Sequence, residues 1–328
     1  MDVGRFLRGT ESDLGLASAS EWVDAASGNF ATCDLKEFLP EHWEDSLFVF
    51  RGQKNADWGL KPSLHRTVVV DGERITENRL GRAERAVIEA ARRGVGSSAN
   101  GDSLGSQLGL NLTDGQLLAV LQHQESPTRF LDVSLSGLVA LFFACEKEDQ
   151  VDGRVFVVAL ESDPESGGPA SDYEDARPWL RLDAAQDLPW PEVEARVYGK
   201  GSWTTSVCLV DAGGLDPRMS AQEGVFLVGG LARSYGGMTH YWSEERRGLY
   251  SKEIEAVTSL QIHHVTGRKR RLKEPFPAFA RTLRVPASMK QDIRNLLSSE
   301  YGIAEGSVYP DFAGFRRLAH KIAADAVR

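Results

Sequence analysis

The chain has 328 residues, 41% hydrophobic and 26% charged, an ordinary globular composition that excludes a wholly disordered protein. Its 47 acidic residues against 38 basic ones give a formal net charge of −9, which excludes a general field for holding duplex DNA and leaves room only for local nucleic-acid contacts. The opening MDVGRFLRGTESDLG lacks the apolar centre of a signal peptide and no later run approaches a membrane span, so a cytoplasmic protein that does not enter membranes is expected.

Three cysteines, Cys33, Cys145 and Cys208, lie far apart without a C-x-x-C pair, so neither a disulfide framework nor a cysteine zinc site is indicated. Residues 46–50, SLFVF, form a short apolar β-prone run. It reads as a buried strand passing into a loop at Arg51-Gly52, which puts Arg51 at a strand end. Between Leu80 and Ala91 the apolar positions Leu80, Ala83, Val87 and Ala90 recur at helical spacing, which predicts an amphipathic helix. The Gly/Ser-rich stretch GVGSSANGDSLG, residues 94–105, reads as a flexible surface loop.

Thr113 and Gln116 supply a T-x-x-Q capping box ahead of LLAVLQHQ, and Pro127 ends the helix it opens. His123 therefore falls at a helix C-terminus, where the dipole favours a cation. A second helix is expected from Ser134, with Leu135, Leu138, Val139 and Phe142 on one face. RVFVVAL (154–160), TSVCLV (205–210), GVFLV (224–228) and ARTLRV (280–285) read as strands, and the acidic stretch ESDPESGGPASDYED after residue 160 reads as a surface insertion. Ser288 and Gln291 form a further capping box before a helix with Ile293, Leu296 and Leu297, and Phe312, Phe315, Leu318, Ala319 and Ile322 share one face of a last helix. His263 and His264 have no spacing for a metal and read as strand residues on opposite faces. No repeat and no long linker divides the chain. The expected fold is α+β, a single mixed domain with a central β-sheet and flanking helices: a helical N-terminal extension over 1–33, then 34–328 with loop insertions near 94–106 and 161–176.

Three blocks carry a family resemblance. The segment FRGQKNADWGLKPSLHR (50–66) resembles the Phe-Arg-Gly signature of the FRG-domain family together with its downstream W-x-L-x-P-S-L. LLAVLQHQESPTRFLDVSLSGLVALFFACE (117–146) resembles the family's central block, a leucine-rich helix, Q-H-x-G-x-P-T-R-L-L-D and an A-L-F-F-A helix; Gln124 and Glu125 replace its usual His-Gly, and Val133 replaces an aromatic. RMSAQEGVF (218–226) and VYPDFAGF (308–315) are similar to the Q-x-G-x-F and F-P-D-L-x-G-L patterns.

The resemblance implies a nucleotide-handling toxin or defence effector, including antiviral defence; no metal site is expected, since the chain has no clear D-x-D or metal-binding His pair. Its motif order is similar to that of mono-ADP-ribosyltransferases. By that analogy the fold is ADP-ribosyltransferase-like and NAD is the substrate. Arg51 would clamp the pyrophosphate, Gly52 would allow close approach, and Gln53, Trp58, Thr128 and Arg129 would complete the nucleotide site. His123 would orient phosphate or act as a base, and Gln222 or Glu223 would stand at the reacting ribose, whose developing positive charge suits a carboxylate.

Structural readings stand beside each of these. Arg51 can pair with a core carboxylate such as Asp132, and His123 can cap its own helix. Thr128, Arg129 and Asp132 can form a turn with an internal ion pair, and Trp58 can pack an N-terminal hairpin. The cluster Arg268, Lys269, Arg270 and Arg271 is either a solvated turn or the contact for a nucleic-acid acceptor, and an effector of this kind implies a neutralising partner protein. A non-catalytic nucleotide or nucleic-acid sensing module and a metal-independent nuclease are the alternative functions.

Overall fold

The computed structural model describes residues 3–41, 43, 46–69, 75–93, 112–161, 179–181, 207–212, 217–231, 251–266 and 277–310. The loops expected over 94–106 and 162–176, the basic cluster at 268–271 and the helix expected over 312–322 lie outside these residues. The described helices are α1 (Val3–Arg8), α2 (Ala19–Ser27), α3 (Ser63–Thr67), α4 (Glu77–Arg93), α5 (Asp114–His123), α6 (Gly137–Cys145), α7 (Pro217–Ala221), α8 (Ser251–Val257), α9 (Lys290–Tyr301) and α10 (Glu305–Val308). The strands are β1 (Leu47–Gln53), β2 (Leu131–Ser134), β3 (Gly153–Leu160), β4 (Trp179–Arg181), β5 (Val207–Asp211), β6 (Gly224–Gly229), β7 (Ile262–His264) and β8 (Ala278–Val285).

The strands join in one mixed sheet in the order β4-β5-β6-β2-β1-β3-β8-β7, with flanking helices, which is the expected α+β architecture. The two outer pairs, β4 with β5 and β7 with β8, are parallel, and the pairs between them are antiparallel. β3 is buried along its whole length, as its run of Val and Phe requires of a central strand. It pairs with β1 from Leu47↔Leu160 to Gln53↔Arg154 and with β8 from Gly153↔Val285 to Leu160↔Ala278.

The apolar helix α6 crosses β1 and β3 at two glycines. A Cβ on Gly52 would stand 1.8 Å from the Ala140 carbonyl oxygen, and one on Gly153 would stand 2.2 Å from that of Ala144. Only glycine lets the helix backbone approach the sheet so closely. The N-terminal helices share this core, since Leu7, Trp22, Val23 and Phe30 are buried in one cluster with β1, β3 and β8 residues. Glu11 bridges to Thr282 of β8, and the Arg154 guanidinium, fully buried, donates to Glu11, Thr282 Oγ1 and the Ala56 carbonyl.

Several local expectations are corrected. β1 runs on through Arg51 and Gly52 to Gln53, because Arg51, Gly52 and Gln53 pair with Phe156, Val155 and Arg154. The helix expected from Ser134 begins at Gly137, since residues 131–134 are drawn into the sheet against β6; the Ser134 hydroxyl accepts from Ser136 N–H and donates to the Gln222 carbonyl. The capping box at Ser288 and Gln291 does not form: a 3-10 turn over Ala287–Met289 leads into α9, whose N-cap is Met289. No described helix is long and apolar enough to cross a membrane.

Candidate functional site

Helix α5 starts where the capping box places it. The Thr113 hydroxyl accepts from Gln116 N–H and the Gln116 side chain accepts from Thr113 N–H, leaving His123 as the last helical residue. The chain then turns through Glu125, whose φ of 61° is the left-handed conformation that explains why the pattern it resembles has glycine there. Three residues on, Thr128 donates through Oγ1 to Gln122 Oε1 at 2.5 Å, and Gln122 Nε2 donates to Asp132 Oδ2 at 2.9 Å. Asp132 lies on β2, and its main-chain oxygen accepts from Arg51 Nη1 on β1.

These elements enclose a cavity of about 220 Å³. Arg51 and Gly52 come from β1, Gln122 and His123 from α5, Asp132 and Ser134 from β2, and Arg218 and Gln222 from α7 and the turn after it. Tyr309 and Phe143 add an aromatic wall, their rings edge to face at 6.2 Å.

Among the described residues, the buried Nε of Arg51 and Nε2 of His123 in this lining have no hydrogen-bond partner. Burial pulls the Arg51 guanidinium below its ordinary range, partly offset by Asp132, yet arginine remains cationic at neutral pH. The Asp132 carboxylate is 3.8 Å from Arg51 Nη1 and 52% exposed, so it balances that charge only in part. A second guanidinium, Arg218, is buried beside the first; it donates to the His123 carbonyl at 3.3 Å and lies 5.2 Å from the centroid of the Tyr309 ring.

Of the residues singled out in the sequence, the structure brings Arg51, Gly52, His123 and Gln222 to one cavity. Gln222 is held there by its Nε2, which donates to the Val308 carbonyl. Glu223 does not line the cavity: with φ of 43° its side chain is exposed, and its carbonyl accepts from Leu135 N–H. Gln53 is buried elsewhere and donates to the Gly59 carbonyl. Trp58 neither lines the cavity nor packs a hairpin; it is 46% exposed, with the Lys54 ammonium 5.6 Å from its ring centroid.

Thr128 knits α5 to its turn, and Arg129 faces away, buried against Glu84 and Glu77 of α4. The internal pair expected between Arg129 and Asp132 is therefore replaced by two separate ones. Among the described residues no cluster of His, Cys, Asp and Glu could hold a metal ion. Sequence reasoning missed Gln122, Arg218 and Tyr309, although each lies in a quoted motif: beside His123, four residues before Gln222, and in VYPDFAGF.

Residues 46–153 match the FRG domain family model. The chain carries an FRG domain. No curated protein and no solved structure matches the chain. The FRG match runs from just before β1 to the first residue of β3 and so includes Arg51, Gln122, His123 and Asp132. The far wall of the cavity, Arg218, Gln222 and Tyr309, comes from beyond it.

Proposed function

We propose that the cavity binds the phosphate of a nucleotide, with NAD as the ligand and ADP-ribosyl transfer to a nucleic-acid or protein acceptor as the reaction. The observation that carries this reading is the pair of buried, unpartnered nitrogens on Arg51 and His123 in one lining that also holds Arg218. Buried polar nitrogens without partners are costly; an anionic oxygen satisfies the guanidinium N–H of Arg51, and the O–H or N–H of an acceptor satisfies the lone pair on Nε2 of His123. At about 220 Å³ the cavity is below the roughly 300 Å³ at which drug-sized pockets begin, so it suits one phosphate-bearing part of a ligand whose remainder lies outside it.

In the proposed transfer, the bond between ribose C1′ and the nicotinamide nitrogen breaks, and its electron pair leaves with neutral nicotinamide. The acceptor's oxygen or nitrogen bonds to C1′, and its proton passes to Nε2 of neutral His123. Asp132 takes the place first assigned to Glu223, since it is a carboxylate of the cavity lining and can stabilise positive charge developing on the ribose. Tyr309 and Phe143 offer an apolar face to the ring system.

The exposure of Glu223 away from the cavity favours a second reading, a nucleotide-sensing module without turnover. Incubation of the purified chain with adenylate-labelled NAD and RNA, DNA or cell protein separates the two by nicotinamide release and label transfer. Turnover abolished in His123→Ala, with binding weakened about tenfold to a hundredfold in Arg51→Ala, is the expected result. Binding without turnover establishes the sensor, and unchanged binding in a folded Arg51→Ala variant refutes the phosphate site.

A further inference from the structure

Thr128 is fully buried and is not part of the cavity lining, yet its hydroxyl belongs to a chain of hydrogen bonds that reaches the cavity. Phe130 N–H donates to Thr128 Oγ1 at 3.1 Å, Thr128 Oγ1 donates to Gln122 Oε1 at 2.5 Å, and Gln122 Nε2 donates to Asp132 Oδ2 at 2.9 Å. A backbone N–H only donates and an ionised carboxylate only accepts, so the two ends of this chain give it one direction. The hydroxyl and the amide between them could each be turned round in isolation. Here a reversed amide would set Gln122 Oε1 against the Asp132 carboxylate, two acceptors in contact. With every donor pointing towards Asp132, each bond polarises the next.

Thr128 is itself fixed from the other side. Its N–H donates to Ser63 Oγ at 3.1 Å and its carbonyl accepts from Leu64 N–H at 2.9 Å, so the hydroxyl is presented from a turn tied to α3. Asp132 is the opposite case. Its side chain is half-exposed on β2, and attraction to Arg51 Nη1 across 3.8 Å does not set its rotamer. The hydrogen bond from Gln122 supplies the missing direction.

We propose that Thr128 is a positioning residue, which through Gln122 holds the Asp132 carboxylate aimed at the cavity. This rests on the reading that Asp132 stabilises positive charge developing on the ribose. A carboxylate in that role acts through where its charge lies. Loss of the Thr128 hydroxyl therefore slows the reaction without loosening the nucleotide, whose phosphate is held by Arg51.

The test measures nicotinamide release and NAD affinity in the parent chain, Thr128→Val, Thr128→Ser, Asp132→Asn and the double variant Thr128→Val/Asp132→Asn, with circular dichroism confirming the fold. Thr128→Val is expected to lower kcat about tenfold at unchanged Kd, one charge-assisted contact being worth that much, and Thr128→Ser to stay within about twofold of the parent. The double variant should be no slower than Asp132→Asn alone, since both substitutions act through one carboxylate. A folded Thr128→Val with parental kcat, a Thr128→Ser as slow as Thr128→Val, or full additivity in the double variant overturns the positioning role. Where Thr128→Val fails to fold, Gln122→Met breaks the same chain at the amide, and parental kcat in that variant overturns the role equally. If the parent releases no nicotinamide, ADP-ribosyl transfer falls by itself and the assigned side-chain amide resonances of Gln122 decide the positioning. Their displacement in both Asp132→Asn and Thr128→Val upholds it, and resonances unmoved in Thr128→Val overturn it.

Discussion

Arg51 and Asp132 illustrate how burial decides what a charge does. Sequence alone suggested a buried pair in which removing the carboxylate would cost several kcal/mol. In the structure Asp132 is half-exposed and shares itself with Gln122, so its partnership with Arg51 is a weak surface-type pair and the guanidinium keeps capacity for a ligand. His65 is the opposite case: 2% exposed, with neither ring nitrogen partnered, its pKa is pushed down to about 4 by burial first and by Lys61 and Arg66 after it. The unfolded chain binds this proton near pH 6.5 and the folded chain does not until about pH 4. Stability from this group is therefore complete above pH 6.5 and falls as pH drops towards 4, by roughly 3 kcal/mol. Urea midpoints at pH 7 and pH 5 should diverge in the parent chain and draw together in His65→Phe. An equal divergence in both would show that another group governs acid stability. His264, pushed down by burial to about 3, adds a loss of the same sign that this variant retains.

At the scale of elements, the position of α6 over β1 depends on Gly52. Its absent side chain is filled by Ala140 and Ala144 main-chain atoms and by the Phe143 Cβ at 2.8 Å, so the glycine of the Phe-Arg-Gly signature serves helix packing as well as lining the cavity. Gly52→Ala has to push α6 from the sheet, and the Cβ meets backbone that cannot swing aside. A loss of at least about 3 kcal/mol is expected, the upper end for overpacking, measured as a lower urea midpoint or as failure to accumulate folded protein. A variant as stable as the parent would contradict this packing. Helix α4 is held to the turn after α5 by the buried pairs of Arg129 with Glu84 and Glu77, which fixes the approach to β2 from the side away from the cavity.

For the whole molecule, the ends of the described chain are joined through Glu11. One carboxylate oxygen accepts from Arg154 Nη2 at 2.8 Å and from Arg284 Nε at 2.9 Å, connecting the N-terminal segment to β3 and β8. Arg154 is fully buried, so Glu11→Gln leaves its charge without a carboxylate in a dry environment. That loss should amount to about 3–5 kcal/mol, seen as a fall in urea midpoint with an unchanged slope. Nucleotide affinity should be unaltered in the fraction that remains folded, because Glu11 is not part of the cavity lining. A change in affinity without a change in midpoint would place this network in the site instead of in the scaffold.

Local pattern by itself determined the strands β1, β3, β5, β6 and β8, the amphipathic α4, and α5 with its capping box and His123 at its last turn, because side-chain period and backbone capping act within a few residues. It also located two residues of the cavity's near wall, since Arg51 and His123 stand out in motifs that can be read without a structure. Tertiary structure decided the rest. LDVS is too short to announce a strand and becomes β2 only by pairing with β6. Arg129 finds its carboxylates 45 and 52 positions away, a choice no local pattern contains. The side chain of Glu223 leaves the cavity while those of Arg218, Gln222 and Tyr309 enter it, because side-chain direction around a turn with positive φ and contacts across 86 residues are set by how the sheet and its helices pack.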